Sequence, residues 1–213
     1  MAWIIIALLS SYLIGSIPCA YIFGRLLKGI DIRKFGSGNV GATNAMRVLG
    51  RGPGISILFL DILKGYVAVT LLADFLIWRI PNLSEAALRV ILGLSCIIGH
   101  SWTVFLGFKG GKGVATTLGV LLGLAVKIGS LKLVLGLIIL TWLVIFIITR
   151  IVSIASVLAA IAMPVYMILF RETNILIFAS LIICIFIILR HTSNLKRIIQ
   201  GKEPRLSFKK SSQ

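Results

Sequence analysis

Acid is scarce in this chain. Six Asp and Glu stand against 22 Lys and Arg in 213 residues, and only 13% of positions are charged, about half the share of an ordinary soluble domain. No cluster of His, Cys and carboxylate residues has metal-ligand spacing, so neither a metal nor another cofactor is expected. The three cysteines, Cys19, Cys96 and Cys184, stand alone in apolar runs, which excludes a disulfide framework and leaves them as small packing residues. No basic stretch precedes the first apolar run, and that run continues into Pro18 and Arg25 without a small-residue cleavage site. It is expected to be a first span and not a cleaved signal peptide. Internal repeats and low-complexity segments are also missing.

What the chain has in abundance is apolar length. It is 59% hydrophobic, with a mean hydropathy of +1.09. A spanning helix needs about 20 apolar residues, and the runs predict seven, at roughly 2–23, 54–77, 86–106, 114–126, 133–149, 151–169 and 174–190. The expectation is an all-α integral membrane protein, one multi-span domain over 1–213. The fourth run is short; it either reaches part of the bilayer or continues past Lys127 with that side chain snorkelling.

The net charge of +16 would suggest nucleic acid in a soluble protein. Here no nucleic-acid partner is expected, because the surplus follows the rule that cytoplasmic loops gather Lys and Arg. The first loop, about 24–53, carries Arg25, Lys28, Arg33, Lys34, Arg47 and Arg51. The third, 107–113, carries Lys109 and Lys112; the fifth has Arg150, and the tail 191–213 is strongly basic. The intervening loops have only Arg79, Arg89, Lys127, Lys132 and Arg171. This asymmetry places the N-terminus outside, and the C-terminus, the tail and both basic loops on the cytoplasmic side.

Glycine concentrates in those two loops. Gly36-Ser37-Gly38-Asn39-Val40-Gly41 matches a dinucleotide fingerprint, but that pattern has meaning only between a strand and a helix, and no strand is expected. The surviving reading is an anion nest in which backbone N–H groups converge because no Cβ intervenes. Ser37 and Asn44 would be added donors, with Thr43 or Asn44 as N-cap of a short helix carrying Arg47 and ended by Gly50. Lys109-Gly110-Gly111-Lys112-Gly113 opens into the fourth run through Thr116. It is no P-loop, since Gly113 follows Lys112 where Ser or Thr is required. It combines glycines, lysine and a helix N-terminus, whose dipole favours phosphate.

Asp61 and Lys64 lie one turn apart inside the second run, where isolated charge costs about 2.5–3.5 kcal/mol on insertion scales; a structural pair is expected. Near the end of the chain, His191, Asn194 and Arg197 recur at i, i+3 spacing and can share a helix face. Glu203 is expected to anchor a basic side chain.

Three blocks, Gly36–Arg47, Gly99 through Thr116 and Arg190–Glu203, in this order and over essentially the whole chain, resemble the bacterial acyl-phosphate:glycerol-3-phosphate acyltransferase family, PlsY. The resemblance implies a seven-span enzyme of the bacterial inner membrane, open to the cytoplasm, that joins an acyl group from acyl phosphate to sn-glycerol 3-phosphate. It implies no cofactor. It implies catalytic roles for Ser37, Arg47, Lys112, His191 and Asn194, and phosphate or substrate contacts from Gly36, Gly38, Asn39, Gly41, Thr43, Asn44, Lys109, Gly110, Gly111, Gly113 and Thr116. Asp61, Lys64, His100, Arg197 and Glu203 would be structural. A His-Asp dyad of the kind used by soluble-facing glycerolipid acyltransferases is absent, since Phe105 stands five positions after His100. The general base is left between the donor's own phosphate and His191. The alternative function is a membrane transporter or exchanger of a phosphorylated solute, which also uses basic glycine loops beside short helices. Oligomeric state is not encoded in any recognisable pattern.

Overall fold

The computed structural model describes residues 2–80 and 83–206, all helix, turn and loop, with no strand among them. The end of the basic tail, including Lys209 and Lys210, lies outside the described residues. The chain divides into two compact units, one running to Lys132 and one beginning at Leu133.

In the first unit, α1 (Ala2–Ser16) and α2 (Cys19–Lys28) form one 27-residue apolar span. It is interrupted at Ile17-Pro18 because proline has no N–H to continue the ladder. Gly29, at φ 66°, ends α2 in the left-handed conformation open to glycine. After a 3-10 turn at Ile32–Lys34 comes the short α3 (Ala42–Val48). Next, α4 (Arg51–Val67) passes through a π-helical stretch, Ala68–Leu72, into α5 (Ala73–Arg79). The N-terminus of α6 (Glu85–Ser101) is capped by the Ser84 hydroxyl, and α7 (Val114–Lys127) follows the second glycine loop.

Reciprocal glycine contacts set the packing. A Cβ on Gly15 would sit 2.1 Å from the Cys96 carbonyl oxygen, and one on Gly99 would sit 2.1 Å from that of Tyr12. Backbones this close suit a membrane, where small residues replace the hydrophobic effect as the basis of helix association. Hydroxyls bridge the same pair: Ser11 donates to the Leu92 carbonyl at 2.6 Å and Ser16 to that of Gly99 at 3.2 Å. The order of these contacts makes α1 and α6 parallel. Gly65 and Gly119 join α4 to α7 in the same way, with Cβ positions 2.2 Å from Thr116 O and 1.9 Å from Ile62 O. Further along, Gly123 packs on Val69 and Thr70, so α4 and α7 also run parallel.

Charge is buried where α5, α6 and α7 meet. Arg89, counted with the loop charges in the sequence, lies inside α6 with 4% exposure. Its guanidinium donates to the Val69 carbonyl within the π-helical stretch at 2.8 Å, and pairs with Asp74 at 2.7 Å. Lys127 ends α7 on the same Asp74, at 2.6 Å, and does not snorkel past a longer helix.

The second unit contains the remainder of α8 (Leu131–Thr149), α9 (Val152–Leu169), α10 (Asn174–Arg190) and α11 (Thr192–Ile199). Trp142 donates to Ser156, and the Thr141 and Tyr166 hydroxyls bond at 2.9 Å, tying α8 to α9. The α8–α9 turn is tight enough to hold Arg150 at φ 59°, and the Leu206 N–H returns to the Arg150 carbonyl at 2.8 Å.

Among the described residues, five stretches are long and apolar enough to cross a bilayer: Ala2–Lys28, Arg51–Arg79, Glu85–Leu106, Leu131–Thr149 and Val152–Leu169. A sixth is α10 with α11, bent by 57°, when the pair is counted as one. The run expected as the fourth of seven spans is α7, whose 14 residues cover about 21 Å, against a hydrocarbon core of about 30 Å.

Gly119→Leu is expected to destabilise the first unit by about 3 kcal/mol or more, since backbone blocks the added side chain. Gly136→Ala, with nothing within 4 Å of its Cβ position, is expected to leave stability unchanged or slightly raised. Thermal unfolding of the detergent-solubilised variants checks both.

Candidate functional site

The first glycine loop is fastened at both ends. Asp31 accepts the Arg33 N–H at 3.0 Å and pairs with its guanidinium at 2.7 Å. Hydrogen bonding from Arg33, chiefly its side chain, outweighs partial burial and holds the Asp31 carboxyl down at about 2. Gly36 (φ 60°) and Gly38 (φ 71°) take left-handed conformations. Asn44, only 2% exposed, reaches back from α3: its Oδ1 accepts the Ser37 N–H at 2.8 Å and its Nδ2 donates to the Phe35 carbonyl at 3.1 Å. Gly36 is required there because a Cβ would lie 2.3 Å from Asn44 Oδ1. The N-cap of α3 is Gly41, in place of the expected Thr43 or Asn44, since Asn44 is occupied with the loop. Its last turn carries Arg47, exposed, and ends before Gly50 at φ 104°. Ser37 is exposed, while Asn39, Gly41 and Thr43 are half-buried. Lys28 closes the arrangement by donating to the Val48 carbonyl at 2.7 Å. That contact was invisible in sequence, where Lys28 was one basic residue among many.

The second loop is docked onto the end of α6. The Gly110 N–H donates to the Ser101 carbonyl at 3.1 Å, and the Gly111 N–H to that of His100 at 3.0 Å. Both carbonyls belong to the last turn of α6, where intrahelical partners run out. Of the three loop glycines expected to face an anion, Gly110 and Gly111 therefore have their N–H groups engaged by α6. Gly113, at φ 81°, caps α7. Lys109 is exposed and Lys112 half-buried. Thr116 is completely enclosed, and the hydroxyls of Thr116 and Thr117 are buried with no hydrogen-bond partner.

Because α4 and α7 are parallel, both glycine loops stand on the N-terminal side of this helix pair. They differ in depth. α3 lies against the start of α4, where Met46 meets Gly54, whereas the second loop is level with Asp61. Asp61 is about ten residues, or about 15 Å, further along α4 than Arg51. Asp61 and Lys64 pair at 2.8 Å, as their spacing predicted. Lys64 also donates to the Ile17 carbonyl at 3.1 Å, at the break before Pro18.

In the second unit, α11 and the tail converge on Glu203. Its Oε1 accepts from Asn194 at 2.5 Å and from Ser153 at 2.8 Å, and its Oε2 pairs with Arg197 at 2.8 Å. Burial pushes the Glu203 carboxyl up, but the hydrogen bonds from Asn194, Arg197 and Ser153 outweigh it and hold the group below its ordinary value. The basic side chain that Glu203 meets is Arg197. Ser153, fifty residues away, had no signal in the sequence. His191 is 3% exposed, with Nδ1 2.8 Å from the Ile187 carbonyl. A carbonyl only accepts, so Nδ1 is the donor in this contact.

The family model described as glycerol-3-phosphate acyltransferase matches residues 5–201. The glycerol-3-phosphate acyltransferase of Chlorobium phaeobacteroides is 41% identical, with all of both chains covered. That of Chlorobium chlorochromatii is 42% identical over 99% of this chain and 100% of its own. A crystal structure of PlsY, an integral membrane glycerol 3-phosphate acyltransferase in its glycerol 3-phosphate form, is 36% identical, with a TM-score of 0.83 and 96% of each chain covered. Its lysophosphatidic acid form gives a TM-score of 0.80. Similarity over nearly the whole length, at these identities, establishes that the chain belongs to the glycerol-3-phosphate acyltransferase family.

Proposed function

We propose that this membrane enzyme moves a fatty acyl group from acyl phosphate to the 1-hydroxyl of sn-glycerol 3-phosphate, giving lysophosphatidic acid and inorganic phosphate in phospholipid synthesis. The observation that carries the proposal is that two cation-bearing glycine loops share one side of the α4–α7 pair. Two phosphorylated reactants call for two such loops, and a one-phosphate function does not. The family relatives favour transfer over the alternative of a carrier for a phosphorylated solute.

Acyl phosphate is an activated mixed anhydride, so no acyl-enzyme is needed. The glycerol oxygen forms the new bond to the acyl carbon, the bond from that carbon to the phosphate oxygen breaks, and the hydroxyl proton leaves with the phosphate; the family resemblance keeps His191 as the alternative base. The loops' contribution is proximity and charge. Alignment makes the encounter effectively intramolecular, and cations stabilise the departing phosphate. With the Gly110, Gly111 and Ser37 N–H groups engaged within the protein, Arg47 and Lys112 are the groups assigned to the phosphates, assisted by Lys109 and the Ser37 hydroxyl. His191 and Asn194 are assigned to glycerol phosphate on the family resemblance, with Asn194 held by Glu203.

The proposed topology counts α7 as a short seventh span, with the N-terminus outside, the C-terminus inside, and both loops facing the cytoplasm from a bacterial inner membrane. The charge asymmetry supports this orientation.

Lys112→Ala and Arg47→Ala are each expected to lower turnover by about 100-fold or more while the protein still inserts. The check is phosphate release from acyl phosphate by solubilised enzyme on adding glycerol 3-phosphate; near-normal rates for both variants would refute the assignment. Glu203→Gln should loosen the tail. Because the folded carboxyl lies below its ordinary value, Glu203 stabilises fully above about pH 4.5, and this is lost as pH falls through the lower folded value. The wild-type tail should become protease-sensitive on acidification through that window, and the variant should already be so at neutral pH.

A further inference from the structure

We infer that His100 is a positioning residue for Lys112: its imidazole, backed by the buried Asp61–Lys64 pair, fixes the backbone of Gly110-Gly111 and so the place from which Lys112 reaches phosphate. The inference rests on the role proposed above for Lys112.

His100 is 7% exposed in the last turn of α6. One edge of its ring faces α4, with Nδ1 3.7 Å from Asp61 Oδ1. That is too long for a direct hydrogen bond but close for two polar groups away from water. The opposite edge lies against Gly111, where a Cβ would fall 2.1 Å from His100 Nε2 and 2.9 Å from Cε1. The His100 carbonyl also takes the Gly111 N–H. The residue before Lys112 is thus held by His100 twice, by main chain and by side chain.

Gly110 is similarly confined, its Cβ position being 2.2 Å from the His100 carbonyl oxygen. These two glycines are needed for what lies opposite them, since neither has a positive φ. The support behind His100 is rigid as well. Asp61 is 2% exposed and Lys64 6%, and Lys64 is fastened to the Ile17 carbonyl. The proline break between α1 and α2 is thereby linked through Lys64, Asp61 and the imidazole to the loop that presents Lys112. A misplacement of about 1 Å at a reacting group costs on the order of 100-fold, so this support acts on rate without touching substrate.

The test is a double-mutant cycle between His100 and Gly111, reading kcat, the KM for both phosphorylated substrates and thermal unfolding. Gly111→Ala forces the loop off the imidazole, and His100→Ala removes the imidazole. Each is expected to reduce kcat/KM about 10–100-fold, with Lys112 intact and the protein inserted. The double variant, in which the missing ring makes room for the new methyl, should recover at least about ten-fold over Gly111→Ala. Losses that multiply in the double variant, or full activity of His100→Ala alone, would overturn the inference. If His100→Ala does not insert, the cycle is run with His100→Asn, which withdraws the far edge of the ring and predicts the same recovery. His100→Gln, reaching to the former Nε2 position, should retain more activity than His100→Ala at similar thermal stability; equal losses would count against positioning. Wild-type protein that transfers no acyl group from acyl phosphate would instead defeat the functional proposal, a result distinct from every arm of the cycle.

Discussion

The register of α4 against α7 is set by two glycines, Gly65 and Gly119, each pressed onto the other helix's backbone. With no water to drive apolar faces together, such contact is a main source of helix affinity in lipid, and it allows little sliding. It determines where α7 begins. Starting α7 level with Asp61 carries the second glycine loop about 15 Å along the α4 axis from its first residue, while α3 and the first loop stay near that end. The short length of α7 follows from the same register, because at its far end Lys127 is held by Asp74.

Where these loops pack on helices they have to satisfy their own polar groups, since unpaired backbone away from water costs about as much as a lost hydrogen bond. The first loop does this with one side chain, Asn44, and the second with the last carbonyls of α6. Glycine consequently serves two purposes. At Gly36, Gly38 and Gly113 it permits a left-handed backbone; at Gly110 and Gly111 it permits contact with His100 and Ser101. A nest of bare N–H groups would have left affinity to the backbone. Here the Ser37, Gly110 and Gly111 N–H groups are used for support, and it is for this reason that the proposal above assigns the phosphates to cationic side chains.

The same need shapes the second unit by itself. Glu203 gathers Ser153, Asn194 and Arg197 and fixes the first turns of α11. Below it, the Ile187 carbonyl accepts from His191 Nδ1. An ionised carboxylate that accepts several hydrogen bonds is a stable anchor for a helix set at a 57° bend to the one before it.

Apolar run length settled the helical membrane class, and basic asymmetry gave the expected orientation. Both glycine loops were legible as motifs, and the Asp61–Lys64 pair followed from one-turn spacing inside a hydrophobic run. These are local or compositional properties, readable without knowing what lies opposite a residue. Tertiary structure alone decided that α7 falls short of a full span, that Asn44 is a clamp, that Ser153 reaches Glu203, and that Gly111 rests on His100. Each depends on a partner distant in the chain. A glycine has the same appearance in a sequence whether it is there for its dihedral angles or for the space beside it, and only the packed neighbour separates the two.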